Sequence, residues 1–236
     1  MNEGEVSTRL GLDGTPGIAE ETMIARDILL AGFTGGHIHV AHISTRKAVD
    51  LVRQAKEEGI NVTTEVCAHH FDLTDEEIEK RHFDTNVKMH PPLRTADDVE
   101  AMIEGLADGT IDVICTDHAP HAIEEKEVEF IYAPNGIIGL ETAWGVTARR
   151  LLKSGKMNLQ DVLTKFIDNP RKILNLDIPE IKEGADANLT LFNIDQEWTF
   201  EKRYIKSKSK NSPYIGSQMV GRAEAVYNNG QFIVNE

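Results

Sequence analysis

A short apolar run, Ile111-Asp112-Val113-Ile114-Cys115, leads without a spacer into Thr116-Asp117-His118-Ala119-Pro120-His121. A run of this length bounded by turn residues reads as a buried strand, so one carboxylate and two imidazoles are delivered to a strand's C-terminal mouth. In parallel α/β folds that mouth is where reactive groups collect. The feature therefore asks for a parallel sheet, and the rest of the chain must supply its neighbours.

It does so in a regular order. Residues 37–44 read as a strand, and Ser44-Thr45 offers an N-cap to a helix with Ala48, Leu51, Val52 and Ala55 on one face, closed by Gly59. Residues 61–68 alternate as a strand and lead into His69-His70. Thr95 caps a further helix, with Asp98 three residues on as a capping box and Val99, Met102, Ile103 and Leu106 inward; Gly109 stops it before the strand that delivers Asp117. Upstream, the first fifteen residues, with Gly4, Gly11 and Gly14, read as a loop. A helix follows, on which Ile18, Met23, Ile24, Ile28 and Leu29 recur at helical spacing. Strand, helix, strand, helix, strand demands parallel pairing with right-handed crossovers. Only three such strands can be counted, whereas a closed (β/α)8 barrel has eight strands and about 250 residues, so the α/β region reads as a partial barrel. Residues 140–152 and 159–167 continue its helical layer. From Pro179 onward the pattern changes to short β runs, 187–193, 219–220 and 225–234, separated by glycines.

Composition narrows the function classes. With 40% hydrophobic and 27% charged residues among 236, the chain reads as a soluble globular protein. A net charge of -14 opposes nonspecific binding to nucleic acid. No apolar stretch approaches the roughly 20 residues needed to cross a bilayer, and there is neither a basic start nor an apolar signal core, so no membrane partner and a cytoplasmic location are expected. Cys67 and Cys115 lie inside apolar strand patterns and read as small buried thiols rather than as a disulfide or as metal ligands. Lys202 to Lys210 carries five positive residues and reads as a solvated loop rather than a phosphate site.

The strand-end Asp-His-Ala-Pro-His resembles the last metal-site strand of the cyclic amidohydrolases, and most closely the dihydroorotases. Met1-Asn2-Glu3-Gly4, Ile24-Ala25-Arg26-Asp27, His39-Val40-Ala41-His42-Ile43-Ser44, Lys88-Met89-His90-Pro91-Pro92-Leu93-Arg94 and Asn169-Pro170-Arg171-Lys172 fall in that family's order and at about its spacing. The resemblance covers nearly the whole chain. It implies the last three strands of a TIM-type barrel over residues 1–178 and part of the small C-terminal β-sandwich over residues 179–236. It also implies that the family's His-x-His strand, its bridging-ligand strand and another histidine strand precede the point where Met1 falls, which would make the chain a fragment with an incomplete metal site.

The resemblance assigns roles residue by residue. Asp117 would bind Zn2+ through one oxygen, take a proton from the attacking water and hand it to the leaving amide nitrogen. A helix-capping Asp is the structural alternative. His42, the second histidine of the family's His-x-x-His-x-Ser strand end, would be a further zinc ligand. His121 would contact substrate, and backbone groups at Asn135-Gly136 would hold the dihydroorotate ring. His90 departs from the family, which generally has asparagine there. An imidazole cannot offer the paired donor and acceptor of an amide. Between His121 and Asn135, residues 124–129 form a charged stretch with the character of a mobile lid or of a solvated loop. Arg94, His69 and His70 read as structural.

His37 and His39 mimic the His-x-His that opens an amidohydrolase site, but Asp117 follows His39 by only 78 residues (117 − 39). At roughly 30 residues per βα unit the intervening strands of a barrel need far more, so these imidazoles read as packing or hydrogen-bonding residues. Each catalytic zinc takes about three protein ligands, and His42 with Asp117 make two. Three readings stay open: part of a dihydroorotase acting on a small-molecule substrate in pyrimidine biosynthesis, a hydantoinase- or allantoinase-type amidohydrolase, or a non-catalytic dihydroorotase-like protein. A homo-oligomer or a complementing chain would be the partner.

Overall fold

The computed structural model describes residues 1–235. Its first element corrects the sequence reading: α1 (Glu5–Leu10) is a helix where a loop is expected. Ser7 Oγ accepts from Gly4 N at 2.9 Å, and Gly11, at φ 67, lets Leu12 N reach back to Ser7 O. The glycine that marks a loop in the sequence is the helix's left-handed C-terminal stop. Next, α2 (Gly17–Thr34) buries Ile24, Ile28 and Ala31, and leaves Leu29, Leu30 and Phe33 exposed, Phe33 at 89%.

The three expected strands are present and parallel: β1 (Ile38–Val40), β2 (Val62–Cys67) and β3 (Val113–Cys115), in the order β1-β2-β3. Ile38 pairs with Val62, Glu65 with Val113 and Cys67 with Cys115. The crossover from β1 to β2 is α3 (Arg46–Glu57), and Thr45 Oγ1 accepts from Ala48 N at 3.1 Å as its cap. After β2 come a 3-10 turn over Ala68–Phe71 and a short helix, α4 (Glu77–Lys80), then α5 (Ala96–Asp108), which carries the expected Thr95–Asp98 capping box. Ala48, Val49, Val52, Met102, Leu106 and Ile111 are all at most 1% exposed and form the layer between helices and sheet. Gly105 lies in this layer because an added Cβ would stand 3.0 Å from both Ile111 and Val49.

Beyond β3 lie α6 (Ile123–Lys126), then α7 (Ala143–Thr147), which widens into a π-type turn over Ala148–Leu152. A second such turn over Thr164–Asp168 joins α8 (Leu159–Leu163) to α9 (Asn169–Ile173). The first two expected β runs of the C-terminal region extend further than their sequence pattern, while the expected run 225–234 is broken by a turn at Asn229-Gly230: β4 (Leu189–Thr199), β5 (Gln218–Asn228) and β6 (Gln231–Val234) form one antiparallel sheet in the order β4-β5-β6. It packs on α7, where the Trp144 and Phe192 rings meet edge-on at 4.9 Å and Gly221, φ 76, admits the Trp144 indole. The link between β4 and β5 returns to the α/β layer and buries Phe200, Ile205 and Tyr214. No helix among the described residues is long and apolar enough to cross a membrane.

Candidate active site

His42 and Asp117 each follow the end of a strand by two residues and each bend the chain into left-handed backbone, at φ 37 and φ 44. His and Asp are among the side chains that tolerate this region. Here the bend breaks the in-out alternation of the strand and re-aims the side chain at its mouth. His42 Nδ1 is buried without a hydrogen-bond partner. The residue lines a cleft of about 440 Å³ together with His39, His90, Pro91 and Arg94. Asp117 is exposed, and among the described residues its carboxylate makes no hydrogen bond. An unpartnered imidazole nitrogen and a free carboxylate are donor types that suit Zn2+.

A second group of predicted residues gathers beyond β3. His121 Nε2 donates to Asn135 O at 2.8 Å, and its Nδ1 lies 3.6 Å from Glu125. His118 Nδ1 accepts from Gly139 N at 3.1 Å, while Ala119 N donates to Ile137 O at 2.8 Å. Gly136 has φ +115, and a Cβ there would stand 2.6 Å from the Ala119 Cβ. Gly136 N donates to Lys88 O at 2.9 Å, and that bond connects the two groups, since His90 lies two residues past Lys88. Gly136 O is taken too, by Lys126 Nζ at 3.1 Å and Asn211 Nδ2 at 3.2 Å. Of the backbone groups at Asn135-Gly136 that the resemblance gives to substrate, only the Asn135 N–H is without an internal partner among the described residues.

Two residues here escaped sequence reasoning. Lys126, inside the charged stretch, is buried, and its Nζ also donates to Pro134 O at 2.9 Å; burial pushes its ammonium down to about 8. The stretch is thus tethered through its middle by α6 and Lys126. Asn211 accepts from His121 N at 3.2 Å and donates to Ala119 O at 2.9 Å. The Lys-rich composition around it concealed this role.

Arg94, expected to be structural, is hydrogen-bonded inside the fold. Arg94, 3% exposed, donates to Ser44 Oγ at 3.0 Å, Asn2 Oδ1 at 2.9 Å and Thr15 O at 2.8 Å, and faces Glu20, which holds Ser44 N at 2.7 Å. Asn2 in turn donates to Asp75 at 2.8 Å. This buried fork fixes the loop bearing His90 against the segment that follows His42. His37 and His39 both bond Thr63 Oγ1 at 2.9 Å, and His39 lies 3.4 Å from Glu65, whose carboxyl it holds below the usual range. His69 and His70 are buried and burial lowers both, His70 to about 4. Cys115 Sγ lies 3.4 Å from Cys67 Sγ, and that contact together with burial pushes its thiol far up.

The sequence matches the Amidohydrolase family over residues 13–229. The chain belongs to that family. It is 49% identical over 233 residues to a dihydroorotase of Geobacter sp. (strain M21), a match covering 99% of this chain and 54% of that protein. A dihydroorotase of Syntrophus aciditrophicus is 45% identical over 236 residues, covering 100% and 55%. In fold the chain is similar to the dihydropyrimidinase of Brevibacillus agri NCHU1002, with TM-score 0.84 and 25% identity over 93% of this chain and 49% of the other. The chain spans about half the length of the curated relatives it matches. The amidohydrolase fold, with α/β content and TIM-barrel neighbours, agrees with the α/β class read from the sequence, and the family is typically metal-dependent.

Proposed function

We propose that this chain supplies two metal ligands and the substrate-facing loops of a zinc-dependent dihydroorotase, which interconverts dihydroorotate and N-carbamoyl-aspartate. The observation that carries the reading is the buried, unpartnered Nδ1 of His42 on a left-handed strand end, with His90 in the same cleft. It comes in a chain 45% and 49% identical to named dihydroorotases. In this reading β1, β2 and β3 are the last three strands of the barrel, residues 1–178 are barrel and residues 179–236 belong to the β-sandwich.

His42 and Asp117 would hold zinc, which when bound supplies a Lewis acid and acidifies water. Asp117, exposed just past β3 with no internal partner, would accept the proton of the attacking water and return it to the ring nitrogen. His121 holds the Asn135 carbonyl, which leaves the Asn135 N–H as a donor toward the ring. His90 faces the cleft with one imidazole where the family has an amide, so it contributes one donor or one acceptor at a time.

The test measures zinc content and dihydroorotate hydrolysis in the full-length gene product carrying His42→Ala or Asp117→Ala. Expected are reduced zinc in His42→Ala and a turnover loss of about 10²- to 10⁴-fold in Asp117→Ala. Wild-type turnover in both variants, or faster hydrolysis of hydantoin or allantoin than of dihydroorotate, overturns the reading.

A further inference from the structure

The parallel register that pairs Cys67 with Cys115 sets their sulfurs 3.4 Å apart across β2 and β3. Straight after Cys67 the 3-10 turn brings His69 and His70 back beside Cys67. One donor atom from each of Cys67, His69 and His70 lies within 4.8 Å of the others, and all three residues are buried. His70 is oriented as a ligating imidazole is: Nε2 donates to Pro91 O at 2.9 Å, which leaves Nδ1 as a buried acceptor with no partner. A far N–H fixed by a carbonyl is the usual support of a metal-bound histidine. The His69 ring lies 4.4 Å from that of His70, and among the described residues it makes no side-chain hydrogen bond.

We propose that Cys67, Cys115, His69 and His70 form a second metal site, closed and structural, for a thiophilic d10 cation such as Zn2+. Two sulfurs and two imidazole nitrogens are a tetrahedral donor set for such an ion. Zn–S bonds of about 2.3 Å at a tetrahedral angle put two sulfurs roughly 3.8 Å apart, so the sulfur pair opens by a few tenths of an ångström, while Cys115, whose sulfur lies outside the 4.8 Å group of Cys67, His69 and His70, takes the fourth position by shifting toward the two imidazoles. Binding would displace the thiol protons of Cys67 and Cys115 to solvent. The two thiolates then neutralise the dication, and no uncompensated charge is buried. The ion would join the ends of β2 and β3 two residues before Asp117 and so stiffen the strand end on which that carboxylate sits. The proposal does not rest on the dihydroorotase reading, since no sulfur belongs to the His42 and Asp117 set.

Cobalt(II) reports the site directly, because only thiolate ligation gives a sulfur-to-cobalt charge-transfer band in the near ultraviolet. In the reduced, metal-stripped full-length gene product one equivalent of cobalt should raise this band with strong tetrahedral visible bands. Asp117→Ala should keep it, Cys115→Ser should roughly halve it, and Cys67→Ser and His70→Gln should weaken binding at least tenfold. X-ray absorption on the zinc-loaded wild-type protein should show a sulfur shell at about 2.3 Å, a readout that stands even if a variant fails to fold. Absence of the band and of the sulfur shell in wild type, or a band unchanged in both cysteine variants, overturns the proposal.

Discussion

His42 and Asp117 share one backbone anomaly, φ 37 and φ 44, at the mouths of the two strands that flank β2. Neither is a glycine, and left-handed backbone in other residues costs free energy that surrounding structure must hold in place. The same departure at both proposed ligands means that the fold accepts local strain to turn two donors out of their strands.

That view sets an expectation for glycine substitution. Asp117→Gly and His42→Gly remove the donor and relieve the backbone, so stability should stay level or rise by up to about 1 kcal/mol while zinc content falls. Chemical denaturation beside metal analysis checks this. A destabilisation above 1 kcal/mol in either variant would mean that the bend is not strained.

Gly136 poses the opposite case. Its φ of +115 and the 2.6 Å approach of an added Cβ to Ala119 leave no room for a side chain. Gly136→Ala should therefore lower stability by about 2 to 4 kcal/mol. Gly11→Ala, at φ 67 with nothing within 4 Å, should cost only about 1 kcal/mol. Equal losses in the two variants, read from denaturant midpoints, would refute the steric argument.

Much of this was legible in the sequence because the signals are local. Thr95 with Asp98, Thr45, Gly59 and Gly109 are caps and stops whose chemistry acts within one turn, so α3, α5 and the three strands fall where periodicity puts them. The departures arise where a residue acts across the fold. Lys126 looks solvated among four glutamates until the carbonyls of Pro134 and Gly136 surround it. Asn211 lies in a Lys-rich stretch yet holds Ala119 and His121. The meeting of Cys67 with Cys115 depends on strand register, and a single sequence does not state the register of two parallel strands joined through a helix.

Lys126 also gives a pH signature. Its ammonium is lowered from 10.5 to about 8 because burial penalises the charged form. Between those values the unfolded chain retains a proton that the folded chain has shed, so the residue's contribution to stability rises with pH across about 8 to 10.5 and is flat below. Lys126→Met lacks this slope and leaves the Pro134 carbonyl without its donor, at a cost of about 1 to 3 kcal/mol. The stability gap between wild type and Lys126→Met should widen as pH is raised from 7 to 10. A gap independent of pH would show that the amine keeps its proton in the fold.

His90 is where substrate choice would be read. It lines the cleft with His42, and the loop that carries it is held by the Arg94 fork, so its position is fixed even though its side chain is exposed. An amide at this point offers a donor and an acceptor together; a neutral imidazole offers them on opposite sides of a ring. One good hydrogen bond to a polar substrate group is worth about 1 to 3 kcal/mol, which is roughly tenfold to a hundredfold in kcat/KM. In the full-length gene product His90→Asn should raise kcat/KM for dihydroorotate by about that factor, mainly through KM, with zinc content unchanged. A fall in kcat/KM for dihydroorotate, with high activity on hydantoin or allantoin, would assign His90 to a different ring and displace dihydroorotate as the substrate.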